Sequence, residues 1–333
     1  MVRNVVEPFR LGLRELGYAE GRNLALHFRW AEGRVDRLPA LAEELLALGL
    51  DVLVTSAPRP ALVARAATSV VPIVAVAVDN PVAIGLATTL ARPGGNVTGV
   101  SSWGIELLAK RLQLMKDLVP KARRVGILAN PSGATSGPFI EEFEQRLGLK
   151  IPWVEARGPE DFEAAFATLS KEQVDGVLVL ADPTFFVHRV RLAELCRTSR
   201  LPSVWGGRDY LDGGGLASYQ SDFSAMFRRA AALVDKILKG AKPAEIPFER
   251  ASTFDLVLNL KAARALGLVV PQVVLVQATD RLRWDSWPLA AGGAGGGRRD
   301  FCSAASRAAS GACPSLSSLS LPCRNSLRAF AEL

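Results

Sequence analysis

The 333-residue chain is predicted to be an α/β protein made of two successive lobes, each with its own parallel sheet. Amphipathic helical patterns alternate with short β-branched runs from residue 4 to about residue 267. Several of these runs are apolar throughout, which is typical of strands covered by helices on both faces. The alternation restarts near Ala122, where "RRVGILANPSG" has the pattern of an opening strand and its turn.

In the first lobe, helices are predicted where apolar residues recur at three- and four-residue spacing, and strands where β-branched residues cluster between them. The predicted helices cover residues 4–17, 36–48, 59–68 and 82–91. The predicted strands are NLALHFRW (23–30), LDVLVTSA (50–57), VVPIVAVAV (70–78) and NVTGVSS (96–102).

The second lobe repeats this order of elements. The predicted helices cover residues 104–118, 136–147, 159–171, 185–199 and 221–239. The predicted strands are RRVGILAN (123–130), LKIPWVEA (149–156), VDGVLVLAD (174–182), LPSVWGG (201–207) and GGLASYQ (214–220).

The segment LARPGGNVTGVSS, residues 90–102, lies just before the boundary between the lobes. Pro93 and the two glycines after it end the preceding helix, and Asn96 tolerates the left-handed backbone that such a turn needs. Two interpretations remain open from the residues alone. The segment is either an ordinary helix end that leads into a strand, or the last strand of the first lobe with the start of the crossover.

The composition excludes several classes of protein. The chain is 49% hydrophobic and 22% charged, with a net charge of +7. Its basic residues are scattered without interleaved aromatic residues, which argues against a nucleic-acid surface. No apolar run reaches the roughly 18 residues of a membrane span. The opening sequence also lacks the pattern of a signal peptide, so the chain as given is predicted to be cytoplasmic.

Metal and redox sites find little support in the sequence. There are two histidines and four cysteines, and the cysteines have no metal-ligand spacing. Cys196 lies within a helical pattern and is predicted to be a buried small hydrophobic residue. We therefore expect no metal and no cofactor.

The end of the chain has a different composition from the rest. Half of residues 284–333 are Ser, Gly or Ala, with no periodicity, and we expect residues 282–333 to be a disordered tail. The tail also has the composition expected of out-of-frame translation of a GC-rich gene.

Candidate ligand-binding residues follow the predicted strands, because open parallel sheets bind ligands beyond the carboxyl ends of their strands. The candidates are Thr55, Ser56, Asp79, Asn130, Ser132, Asp182, Trp205 and Tyr219. Short polar residues before helices are also ordinary N-caps, so each of them has this alternative role. Their recurrence across both lobes favours a binding site.

An enzyme is not predicted. The sequence contains no G-x-S-x-G, no phosphate-binding G-x-x-x-x-G-K-[ST] and no H-E-x-x-H motif. Asp209 and Asp212 are interpreted as turn residues and His188 as a surface or satisfied residue.

Five segments carry a family resemblance. They are LRELGYAEGRNLALHFRWAEGRVDRLPALAEELL, DNPVAIGLATTLARPGGNVTGVSS, AKRLQLMKDLVPKARRVGILANPS, DGVLVLADPTF and FDLVLNLKAARALGLVVP. Together they resemble the ABC-transporter substrate-binding proteins of the tryptophan/tyrosine type, over about residues 4–280. The resemblance implies a fold like that of the type I periplasmic binding proteins, with two flavodoxin-like lobes joined by a three-stranded hinge. On this basis residues 90–102 supply the last turn and strand of the first lobe.

The resemblance also implies a domain division. The first lobe comprises residues 1–102 with a returning segment near 220–250. The second comprises residues 103–219, with 251–281 packed on it.

The implied function is the capture of a small solute, such as an aromatic amino acid, for the permease and ATPase of an importer, in the periplasm or on a lipid anchor. Thr55, Ser56 and the backbone near Asp79 would bind the carboxylate. Asp182 would bind the ammonium, and Trp205 or Tyr219 would cover the side chain. The alternative is the effector-binding module of a lactose-repressor-type regulator, which shares the two-lobe fold but carries a helix-turn-helix segment that this sequence lacks.

Two departures from the family pattern are expected to matter. Family members have a signal peptide and a first strand before the helix that opens this chain, so we expect the first strand to be missing and strand edges to be left exposed. The tail after about residue 281 also has no counterpart in the family.

Overall fold

The computed structural model describes residues 2–32, 34–131 and 139–282, and these residues form two sheets flanked by helices. The strands are β1 (Leu53–Ser56), β2 (Ile73–Val76), β3 (Val97–Ser101), β4 (Val125–Ala129), β5 (Trp153–Glu155), β6 (Gly176–Val179), β7 (Ser203–Trp205), β8 (Ala217–Ser221), β9 (Glu249–Arg250), β10 (Phe254–Asn259) and β11 (Asp280–Leu282). The helices are α1 (Val2–Glu15), α2 (Leu38–Leu46), α3 (Pro58–Ala67), α4 (Gly104–Leu118), α5 (Phe139–Leu147), α6 (Phe162–Lys171), α7 (Pro183–Val187), α8 (Arg189–Thr198), α9 (Phe223–Leu238), α10 (Leu260–Ala265) and α11 (Gln272–Gln277).

The first sheet has the order β1-β2-β3-β9, and every pair in it is parallel. All residues of β1, β2 and β3 are buried, as expected for strands with helices on both faces. Helices α1 and α9 pack against each other beside this sheet. Gly12 permits their close approach, because a Cβ there would lie 2.8 Å from the Ala231 Cβ and 2.9 Å from the Arg228 carbonyl oxygen.

The second sheet has the order β11-β10-β8-β7-β6-β4-β5. The central strands are parallel, whereas β10 runs antiparallel to β8 and parallel to β11. Two apolar cores cover the sheet, one including Leu112, Met115 and Ile127 and the other Phe162 and Trp205. The predicted α/β fold with two sets of parallel strands is confirmed, with β10 as an antiparallel addition.

The chain passes between the two sheets three times among the described residues. It leaves the first sheet after β3, returns to it after β8 through α9, and leaves it again after β9. These crossings lie at residues 102–103, 222 and 251–253. Backbone hydrogen bonds hold them together, since the Ala251 N–H donates to the Ser101 carbonyl and the Asp222 N–H to the Thr253 carbonyl, each at 2.9 Å.

The segment NLALHFRW was predicted as a strand, and this prediction is wrong. Only Leu24 forms a backbone bridge, with Glu20. Alternate side chains still pack on the core of the first sheet, and Phe28 stacks on Trp30 with ring centroids 6.2 Å apart. The alternating pattern therefore reports side-chain burial, but in the described part of the chain no neighbouring strand completes the backbone hydrogen bonds.

Residues 82–91 were predicted as a helix, and they form turns instead. Gly85 has a φ of +74°, which lies in the left-handed region and ends any helical run. The apolar spacing reflects two side chains, Leu86 and Ala87, that reach the core from these turns.

Other boundaries also changed. The helix predicted at 185–199 is divided at His188 into α7 and α8. The prediction that Leu282 belongs to the tail is wrong, because this residue ends β11, and the rest of the predicted tail lies outside the described residues. Of the helices that the structure describes, none combines the length and the apolar character that a membrane span needs.

Candidate functional site

A cleft of about 1330 Å³ opens beyond the carboxyl ends of strands from both sheets. Its lining includes residues that follow β2 and β3 of the first sheet and β6 and β7 of the second. This is the position where open parallel sheets bind ligands. The polar, charged and aromatic residues of its lining include Asp79, Ser102, Trp103, Arg111, Tyr219, Ser221, Arg250 and Phe254.

Asp79 provides a negative charge on the first-sheet side of the cleft. It follows β2 and accepts a hydrogen bond from the hydroxyl of Ser102, which follows β3. The start of α4 lies against it, and a Cβ at Gly104 would be 3.1 Å from the Asp79 Cβ. Because glycine has no side chain, Gly104 leaves space for the Asp79 carboxylate at the N-terminus of α4.

Three aromatic side chains form a wall of the cleft, which we call the aromatic wall (Trp103, Tyr219 and Phe254). Tyr219 and Phe254 stack with centroids 5.8 Å apart and an interplanar angle of 10°. Trp103 meets Phe254 edge to face at 5.9 Å. The indole of Trp103 donates a hydrogen bond to the Ala251 carbonyl, so the wall links the first and third chain crossings.

Arg111 is a buried cation on α4, with 9% of its surface exposed. Its Nε donates to the Tyr219 carbonyl at 2.7 Å and its Nη2 to the Gly206 carbonyl at 3.3 Å. Burial lowers the pKa of its guanidinium to about 10, and the charge of Asp79 opposes this shift. The group is still protonated at neutral pH.

Two further polar groups are influenced by burial at the cleft. Ser221 ends β8 with 2% of its surface exposed, and its hydroxyl forms no hydrogen bond within the described residues. Burial raises the pKa of the Tyr219 hydroxyl above its usual value, while the charge of Arg111 lowers it. Both residues are part of the cleft lining.

Of the candidates predicted from the sequence, Asp79 and Tyr219 line this cleft. Thr55 and Ser56 are fully buried at the end of β1, and their hydroxyls have no hydrogen-bond partner in the described part of the chain. They are not part of the cleft lining.

Asn130 and Asp182 come together at a separate place. The Asn130 side-chain amide donates to the Asp182 carboxylate at 3.2 Å. That carboxylate also accepts from the backbone N–H of Thr184 at 2.8 Å and of Phe185 at 3.2 Å, so Asp182 is the N-cap of α7. The alternative structural role therefore applies to Asp182, and ligand binding by this pair stays a prediction.

Trp205 and Ser132 have different outcomes. Trp205 is fully buried, and its indole N–H donates to the hydroxyl of Ser203 at 2.8 Å. It packs in the core of the second sheet and does not line the cleft. Ser132 lies outside the described residues.

Sequence reasoning missed Arg111, Trp103 and Phe254. A signal for Arg111 was present, because it lies three and four residues from buried leucines of α4 and so shares the helix's apolar face. A charged residue on that face is unusual and marks a special environment. The two aromatic residues had no such signal, since the chain crossings that bring them together are a property of the whole topology.

No group of three or more His, Cys, Asp or Glu side chains that could hold a metal occurs in residues 2–32, 34–131 and 139–282. The cleft therefore offers opposite charges, hydroxyls and an aromatic surface. These groups suit the binding of a small charged molecule with an apolar part.

A family model described as "ABC transporter substrate binding protein" matches residues 2–282. A tyrosine-binding protein from Clostridioides difficile (strain R20291) is 23% identical over 263 residues, which cover 78% of this chain and 75% of the relative.

Two solved structures are similar over most of their length. A conserved domain protein from Vibrio cholerae is 27% identical with a TM-score of 0.76, covering 84% of this chain and 95% of the other. An ABC domain in complex with L-Trp from Streptococcus pneumonia is 27% identical with a TM-score of 0.73, covering 84% of this chain and 96% of the other.

Proposed function

Because this chain belongs to the ABC transporter substrate-binding protein family, we propose that it captures an amino acid with an aromatic side chain in the cleft between its two sheets. The captured amino acid is then delivered to the permease and ATPase of an ABC importer. One observation carries the substrate class: the aromatic wall lies in the same cleft as the opposite charges of Asp79 and Arg111.

The aromatic wall supports a planar, apolar side chain. An aromatic ring gains buried area and a favourable stacked or edge-to-face contact when it packs on another ring. The Tyr219–Phe254 stack presents such a surface, and Trp103 meets it at an angle. The tyrosine-binding relative and the structure with L-Trp are consistent with this substrate class.

Asp79 is the proposed partner of the ligand's ammonium group. A carboxylate that accepts charge-assisted hydrogen bonds suits an ammonium, and Asp79 forms no ion pair with a cationic side chain among the described residues. Ser102 holds one oxygen of the carboxylate and leaves the other available.

We also propose that the two sheets are the centres of two lobes that close on the ligand. The first lobe is residues 1–102 with the segment near 220–250, and the second is residues 103–219 with 251–281. Three chain crossings between the sheets support a hinge at this place. The same hinge carries the aromatic wall, so closure and ligand contact are coupled.

The proposal includes no chemical turnover and places the capture outside the inner membrane. Membership in a family of substrate-binding proteins supports both parts of this proposal. The alternative of a transcription regulator is weaker, because the family match is to transport proteins.

Isothermal titration calorimetry of the full chain tests the substrate class. We expect L-tryptophan or L-tyrosine to bind more tightly than L-leucine, L-lysine or D-glucose. The variant Phe254→Ala should weaken the aromatic ligands. Phe186→Ala is a matched control, since Phe186 packs on Tyr210 away from the cleft. Binding of glucose alone, or equal loss in both variants, would contradict the proposal.

A further inference from the structure

We propose that Arg111 forms the carboxylate subsite of the cleft, so that the protein selects ligands with a free carboxylate group. This inference rests on the proposed function and identifies a residue that determines its specificity.

Arg111 differs from the other arginines of the cleft in its charge balance. The lining of the cleft contains three arginines, and two of them have carboxylate partners. Arg146 lies 3.9 Å from Glu142, and Arg250 lies 3.8 Å from Glu106. Arg111 is the most buried of the three, yet within the described residues it forms no ion pair with a carboxylate. The charge of Asp79 acts on the guanidinium without forming an ion pair with it, so burial still lowers the pKa of Arg111. This incomplete compensation of a buried cation favours an anionic ligand group beside it.

The guanidinium of Arg111 has more N–H donors than its two backbone partners use. Arginine has five N–H donors in a planar arrangement. Backbone carbonyls of Tyr219 and Gly206 take one from Nε and one from Nη2. These two bonds fix the plane of the group against the ends of β7 and β8. The remaining donors include those of Nη1, and a carboxylate accepts two of them in a bidentate pair.

The neighbours of Arg111 also suit a ligand that carries a carboxylate. The carbonyl that binds Arg111 belongs to Tyr219, a member of the aromatic wall, so the cation is fixed beside the surface proposed for the ligand's ring. Ser221, two residues further along β8, has a buried hydroxyl without a partner in the described chain. This hydroxyl is a second donor for a carboxylate at the same edge of the cleft.

A purely structural role for Arg111 makes a different prediction. The two backbone bonds tie α4 to β7 and β8, and their loss would weaken every ligand to the same extent. Loss of a carboxylate subsite would weaken the binding of only those ligands that carry a carboxylate. The two roles of Arg111 are therefore distinguished by a ratio of two affinities and not by a single affinity.

The test compares L-tryptophan, tryptamine, which lacks the carboxylate, and indole-3-propionate, which lacks the ammonium. For the wild type we expect L-tryptophan to bind on the order of 100-fold more tightly than tryptamine. In Arg111→Gln this ratio should fall to less than about tenfold. The ratio between L-tryptophan and indole-3-propionate should stay as in the wild type, and Arg111→Lys should restore part of the loss.

Lys121→Gln is the matched control, because it removes the same charge from an exposed cation that lies outside the cleft lining. It should leave both ratios unchanged. An unchanged ratio of L-tryptophan to tryptamine in Arg111→Gln would overturn the inference.

A measurement on the wild type alone covers the case in which Arg111→Gln does not fold. L-tryptophan methyl ester keeps the ring and the ammonium but has no carboxylate, and it should bind as weakly as tryptamine. Equal affinity for the ester and the free amino acid would overturn the inference.

The aromatic substrate class and the carboxylate subsite can fail independently. If the wild type binds an aliphatic amino acid instead, and Arg111→Gln weakens that ligand relative to its amine, the aromatic class fails and the subsite stands. If the wild type binds only solutes without a carboxylate, both fail.

Discussion

At the residue scale, burial and hydrogen bonding separate the side chains that line the cleft from those with structural roles. Asp79 and Tyr219 were predicted from their places after strands, and both line the cleft. Asp182 and Trp205 were predicted on the same basis, but Asp182 caps a helix and Trp205 packs in the core. Position after a strand therefore predicts the correct edge of the sheet. It does not predict which side chains face the cleft, because that depends on how the second sheet lies against the first.

Asp79 supplies the prediction at this scale. Asp79→Asn removes the negative charge but keeps an oxygen that can accept from Ser102, so we expect little change in thermal stability. Affinity for L-tryptophan should fall about tenfold or more, while affinity for indole-3-propionate should change much less. Calorimetric titration of the two ligands measures this difference. Asp212→Asn, at an exposed position outside the cleft lining, should leave both affinities unchanged, and equal losses for both ligands in Asp79→Asn would refute the role.

At the element scale, the sequence predicts buried strands and long amphipathic helices well, because the apolar pattern within a single segment determines each of them. The helix at 104–118 has the predicted bounds of α4. The failures are segments whose apolar pattern is satisfied without regular backbone bonding. Residues 23–30 pack on the core without a strand partner in the described chain, and residues 82–91 reach the core from turns. Strand β10 was missed as a strand, since its antiparallel pairing depends on the return of the chain after β9.

The contact between α1 and α9 supplies a stability prediction. Gly12→Val places a branched side chain where the Ala231 Cβ and the Arg228 carbonyl leave no space. We expect a loss of about 2 kcal/mol in the free energy of unfolding, as for overpacked cores. Urea denaturation measures it. Gly95→Ala is the control, because a Cβ at Gly95 meets no atom within 4 Å, and equal effects of the two changes would contradict the packing argument.

The same pair of helices gives a dependence on pH. The Tyr18 hydroxyl donates to the Asp235 carboxylate at 2.9 Å, and burial together with this bond raises the pKa of Tyr18 to about 12. The unfolded chain loses this proton near the ordinary value of 10.0, before the folded chain does. The stabilisation is therefore complete below about pH 10 and decreases as the pH rises toward 12.

Tyr18→Phe tests this dependence. The difference in the free energy of unfolding between wild type and variant should be constant from pH 7 to 9 and should shrink between pH 10 and 12. Urea denaturation at each pH measures the difference, in which the titration of groups that do not contact Tyr18 or Asp235 cancels. A difference that stays constant up to pH 12 would show that the hydroxyl proton does not contribute.

At the scale of the whole molecule, the two sheets and their three crossings determine the site. The alternation of helices and strands, with its restart near Ala122, predicted the two sheets. The resemblance to substrate-binding proteins supplied the expectation of a hinge. The aromatic wall was not predicted, because Trp103, just before α4, is more than 100 residues from Tyr219 in β8 and Phe254 in β10.

The proposed closure of the lobes gives a prediction at this scale. Small-angle X-ray scattering of the full chain should show a smaller radius of gyration in saturating L-tryptophan than without ligand, because both lobes contact the bound molecule. D-glucose should cause no change. A radius of gyration that is unaffected by a bound amino acid would refute closure while leaving the binding site intact.

A crystal structure of the protein grown with L-tryptophan tests the central claim, that the cleft between the two sheets holds an amino acid. We predict density for the ligand against the Tyr219–Phe254 stack, with its ammonium at Asp79. Density for the ligand at a place away from the cleft, with the aromatic wall uncovered, would contradict the account.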